Sequence, residues 1–160
     1  MSWPYALLQR VVCAVDGSET SLRAADTAIA LAAASKAELV FVHVLDDELI
    51  RDVANVMEDD GIEARQRLQR VAEELLRHVV ELAAREEVAA QSRLATGDPP
   101  HAIDDAAREL GADVIVVGKV GRRGVRKWLM GSVTRRLVES TRIPVLVIAG
   151  PEPSHDDAAG

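Results

Sequence analysis

Five short apolar runs, separated by segments of helical periodicity, constrain this chain more than any other feature. Residues 11–15, 39–45, 114–117 and 145–148 are almost unbroken in Val, Leu, Ile, Phe and small side chains, long enough for strands and too short for helices. Residues 88–95 form a weaker run with polar residues mixed in, as an edge strand carries. Unbroken apolar strands, rather than alternating ones, belong to a parallel sheet covered on both faces. Right-handed crossovers then restrict the topology to the doubly wound kind.

The segments between the runs supply the covering helices. Leu22, Ala25, Ile29, Ala32 and Ala33 recur at helical spacing across residues 19–35. Ala64, Leu68, Val71, Ala72, Leu75, Val79, Leu82 and Ala83 form one apolar stripe on a long helix. Asp98 followed by Pro99 reads as an N-cap and first helical residue, opening a helix that reaches about Leu110 and ends at Gly111. Residues 132–140 form the last helix. Residues 46–60 are acidic and irregular, and read as a surface excursion with at most one helical turn. Residues 150–160 hold two prolines and no periodicity, so the expectation is one domain over 1–149 and a loose tail.

Open α/β sheets bind ligands beyond the carboxyl ends of their strands, where the strand order reverses. With the order 3-2-1-4-5, that point lies between the first and fourth strands. Asp16, Gly17 and Ser18 follow the first strand; Gly118, Gly121, Gly131 and Ser132 follow the fourth. Gly118 and Gly121 permit close backbone approach and positive φ. Gly131 and Ser132 open a helix whose first amides are unsatisfied and carry the positive end of its dipole, a seat for phosphate. Ser132 and Thr134 add hydroxyl donors. Asp16, across the cleft, either holds a metal ion through water or accepts a ribose hydroxyl. Taken singly, each glycine is equally well a turn; taken together, they fall at the switch point and indicate a phosphate-bearing ligand.

Lys119, Arg122, Arg123, Arg126 and Lys127 place five cations in nine residues between the glycines. They form either a solvated loop or, in part, a counter-charge for a triphosphate, with Arg122 a candidate for that contact. The formal charge of −7 argues against nucleic acid as a partner. Cys13 lies in an apolar run as a buried small side chain without a disulfide partner. The N-terminus does not resemble a signal peptide and no run is long enough to span a bilayer, so the expected setting is cytoplasmic. The four histidines lack metal-ligand spacing, no hydrolase triad is recognisable, and neither a P-loop nor a dinucleotide fingerprint is present.

The spacing Gly118-x2-Gly121-x9-Gly131-Ser132 resembles the ATP-binding branch of the universal stress protein family. So do Val15-Asp16-Gly17-Ser18, His43-Val44, Gly97 with Pro99, and the Ile143-Pro144-Val145-Leu146-Val147 close; the likeness covers roughly residues 9–149. The resemblance implies a three-layer sandwich, with a five-stranded parallel sheet and two helices on each face. It implies ATP as ligand, with magnesium, and a homodimer joined through Val145–Ile148. Asp16 would face the ribose or the phosphate-bound metal, and Val44 would meet adenine through its backbone. Gly118, Gly121, Gly131, Ser132 and Val133 would line ribose and phosphates, while Ala14 stands where some members have proline beside the adenine. Three functions follow as alternatives. One is a nucleotide-dependent stress-response regulator with at most slow hydrolysis, which the absence of a recognisable general base favours. The others are a slow ATPase or autophosphorylating enzyme, and an interaction module that binds no nucleotide.

Overall fold

A computed structural model describes residues 8–58, 60–120 and 129–150. The elements run β1 (Arg10–Ala14), α1 (Glu19–Ser35), β2 (Glu38–Asp46), α2 (Asp47–Met57), α3 (Ile62–Arg85), β3 (Ala90–Gly97), α4 (Pro99–Leu110), β4 (Val114–Gly118), α5 (Ser132–Ser140) and β5 (Val145–Ile148). All strand pairs are parallel, in the order β3-β2-β1-β4-β5.

The two-residue period of a strand explains why the central runs are apolar throughout. Val11, Cys13, Leu39, Phe41, Val114 and Val116 point to one face, where they pack with α1 and α3. Val12, Val40, Val42, Ile115 and Val117 point to the other, against α4 and α5. Neither face meets water, so neither alternates with polar residues. Cys13 is fully buried, and burial pushes its thiol well above the ordinary range, which leaves it an inert packing group.

Two elements depart from the sequence expectation. Residues 47–57 form an eleven-residue helix rather than a surface excursion with a single turn. The Asp46 carboxylate caps it by accepting the Glu48 amide at 2.9 Å, and Ile50 and Ala54, four residues apart, bury against α3. The acidic residues that mask this pattern lie on the outer side. The third strand begins two residues late because Val88 serves the end of α3 instead. Glu87 adopts φ 58°, the Val88 amide bonds to the Ala83 carbonyl at 2.9 Å, and the Val88 side chain is buried. This is a Schellman closure, whose apolar residue just past the helix looks in sequence like the start of a strand.

Candidate functional site

Every helix that follows a strand in a parallel sheet starts at the strands' carboxyl end. Here the starts of α1, α2, α4 and α5 converge on one cavity of about 490 Å3, within the range of small-molecule sites. It opens at the reversal of strand order between β1 and β4. Ala14, Asp16, Val44, Gly118, Gly131, Ser132, Val133 and Thr134 all border it. Gly121 and Arg122 lie outside the described residues, as do Arg123, Arg126 and Lys127.

The four helix mouths differ in what they offer an anion. At α1, the Ser18 hydroxyl accepts the Ser21 amide at 3.2 Å, and Asp16 Oδ1 accepts the Ser18 amide at 2.9 Å. At α2, Asp46 is the cap. At α4, Pro99 and Pro100 have no N–H, so only His101 in the first three positions carries an amide. At α5, the N-cap is Gly131, with no side chain to cap the helix. The amides of Ser132, Val133 and Thr134 have no intrahelical acceptor, and they form the positive end of the helix dipole. Of these four mouths on the cavity wall, α5 alone has neither a capping side chain nor prolines in its first turn.

Some of the groups singled out in the sequence carry out a different task in the structure. Gly131 adopts φ −59° and ψ 152°, an extended conformation open to any residue, and its amide donates to the Lys119 carbonyl at 2.8 Å. Gly118 has no positive φ either. Its missing side chain admits α1, since a Cβ there would lie 2.8 Å from Thr20 Oγ1. Thr134 is buried and its hydroxyl donates to the Gly118 carbonyl at 2.8 Å, tying α5 to β4. A turn on the cavity wall that does require glycine is at Gly17, at φ 81°. Further ties anchor the residues that follow β4: the Thr20 hydroxyl donates to the Val120 carbonyl, and the Lys119 amide donates to the Ile148 carbonyl at 2.7 Å.

The remaining wall is apolar, with Val42, Ile103, Val117 and Leu137 on one side and Leu68 and Leu75 on the other. His43 lies between, with Nδ1 2.7 Å from the Val15 carbonyl. A carbonyl only accepts, so Nδ1 carries the hydrogen, a structural role for this histidine. Asp98, His101 and Arg136 form a polar cluster at the rim. The Asp98 carboxylate accepts from His101 Nδ1 and from both terminal nitrogens of Arg136. Arg136 escaped the sequence reading, although its place four residues after Ser132 puts it on the same helix face. Among the described residues, no group of three or more His, Cys, Asp and Glu side chains comes together as a metal cluster. Among them too, no helix is long and apolar enough to cross a membrane.

Residues 8–149 match the family model described as the universal stress protein family. The universal stress protein YxiE of Bacillus subtilis is 31% identical over 147 residues, which span 89% of this chain and 99% of that protein. Among solved structures, a universal stress protein in complex with cAMP is similar at 28% identity and a TM-score of 0.68, covering 90% of this chain and 98% of that one. The universal stress protein from Archaeoglobus fulgidus in complex with dAMP is similar at 25% identity and a TM-score of 0.62, covering 89% and 98% of the two chains.

Proposed function

This chain belongs to the universal stress protein family, and we propose that it is a regulatory protein that binds ATP in the cavity at the switch point of its sheet. The observation that carries this reading is the α5 mouth, where three uncapped amides border a cavity whose opposite wall is apolar. A phosphate tail suits the first and a purine base the second. Relatives of similar fold solved with cAMP and with dAMP support an adenine ligand. In this reading Val44 and Ala14 border the base, and Asp16 receives the ribose or a phosphate-bound magnesium. Magnesium takes few protein carboxylates and several phosphate or water oxygens, so it would arrive with the nucleotide.

The regulatory part of the proposal rests on the cavity's carboxylates. Of the four carboxylates on its wall among the described residues, Asp16, Asp46 and Asp98 each accept a backbone amide or a guanidinium, and Glu48 is exposed in the first turn of α2, so none stands as an evident general base. Binding rather than turnover is then the working output, in a cytoplasmic setting. Among the described residues the outer edge of β5 pairs with no strand, and Leu146 on it is exposed; we assign the homodimer contact to it, since an open apolar edge favours pairing with another chain.

The direct test is to denature purified protein and identify any nucleotide released, then to add ATP and magnesium to the emptied protein. At 100 times its dissociation constant a ligand stabilises by about 2.7 kcal/mol, a readily measured rise in Tm. Neither a released nucleotide nor a thermal shift would leave the interaction-module alternative standing.

A further inference from the structure

The cavity wall holds an ion pair to which nucleotide binding, as described, gives no part. Asp98 at the α4 mouth faces Arg136 in the second turn of α5: Nη1 donates to Oδ1 at 3.1 Å and Nη2 to Oδ2 at 2.9 Å. Both residues border the cavity, and Arg136 is the one Lys or Arg among the described residues that do. Helical side chains lean toward the N-terminus, so a residue four positions after Ser132 carries its guanidinium back toward the open amides.

We propose that Arg136 is a phosphate ligand of this cavity, exchanged between the Asp98 carboxylate in the empty protein and a ligand phosphate in the loaded one. The proposal rests on the nucleotide reading above and names the side chain that recognises the phosphate tail. Three observations support the exchange. The pair is half-exposed, at 47% for Arg136 and 45% for Asp98, and such pairs are weak and easily opened. A phosphate accepts the same two-pronged fork with greater charge. His101 remains bonded to Asp98 when Arg136 leaves, so the carboxylate is not stranded. The proline pair at α4 removes the neighbouring helix mouth as a competing seat.

Calorimetric titration of ATP and of adenosine into the parent, Arg136→Gln, Asp98→Asn and the double variant tests this. Arg136→Gln is expected to weaken ATP about tenfold, the loss of a charged hydrogen-bond pair, with adenosine affinity unchanged. Asp98→Asn is expected to tighten ATP about threefold by removing the competitor. In the double variant that gain disappears and affinity equals that of Arg136→Gln. A gain that persists there would mark simple charge repulsion and overturn the exchange. Weaker ATP binding by Asp98→Asn would make Asp98 a support for Arg136, and overturns it too. Parental ATP affinity in Arg136→Gln removes Arg136 from the ligand. Should that variant not fold, Arg136→Lys keeps the charge without the fork and is read by the same ATP-to-adenosine contrast. A parent that binds neither compound overturns the nucleotide reading itself, and the exchange with it.

Discussion

Gly118 and Thr20 are in contact at the switch point: a Cβ on Gly118 would lie 2.8 Å from Thr20 Oγ1 and 2.9 Å from the Thr20 carbonyl carbon. Thr20 is also hemmed in by Gly150, where a Cβ would come within 3.2 Å of Thr20 Cγ2. The glycine at the end of β4 therefore lets α1 close on the sheet, whatever the cavity holds.

Gly118→Ala should accordingly destabilise the nucleotide-free protein, by the about 1–3 kcal/mol typical of overpacking. For a chain of this size that lowers Tm by about 2–4 °C per kcal/mol. Thermal denaturation without nucleotide measures it. A parental Tm combined with lost ATP binding would instead assign this glycine to the ligand.

Thr134→Val keeps the shape of a buried side chain but removes the donor to the Gly118 carbonyl. The bond is part-buried, and its loss costs about 1 kcal/mol, rising toward the cost of an unsatisfied acceptor if no water replaces the hydroxyl. The loss should appear in denaturant unfolding, while the folded variant binds ATP as the parent does. Weakened binding at parental stability would place the hydroxyl on the ligand.

Gly131→Val should act in the opposite sense. The backbone at φ −59° and ψ 152° accommodates a β-branched residue, so the fold should persist while the added methyl groups crowd the α5 mouth. Calorimetry should show a loss of ATP affinity of at least about tenfold, as for a displaced charge-assisted bond. Retained affinity would move the phosphates elsewhere.

The Asp98 carboxyl is held below the usual range, chiefly by the His101 hydrogen bond, against an opposing effect of burial that ranks second, with smaller lowering contributions from Arg136. A carboxyl depressed in the folded state stabilises above its unfolded value and loses that contribution as pH falls through the folded one. The fall in Tm between pH 6 and pH 2 should therefore be smaller in Asp98→Asn than in the parent. An identical fall in both would show that the pair contributes nothing to folding.

ATP turnover should stay far below the roughly 1–100 s⁻¹ of kinases. Steady-state phosphate release in that range, abolished by Asp16→Ala, would make the protein an enzyme.

Much of this molecule was legible in one dimension because its signals are local. Burial on both faces makes β1, β2 and β4 unbroken apolar runs, and the stripe on α3 follows from its own spacing. The α2 helix was obscured because only Ile50 and Ala54 of its residues are buried, under a surface of acids. Val88 misled because an apolar residue that closes a helix has the same composition as one that opens a strand.

The sequence by itself determined the layered parallel sheet and the end of it where a ligand belongs, since periodicity and glycine placement are properties of neighbours along the chain. It also placed Ser132 at a helix mouth. Only the tertiary structure decided the tasks of individual groups. Gly118 makes room for a helix nearly a hundred residues earlier, Thr134 braces β4, and Arg136 meets a carboxylate from another helix. Those are contacts across elements, set by how the helices pack on the sheet, and no local pattern encodes them.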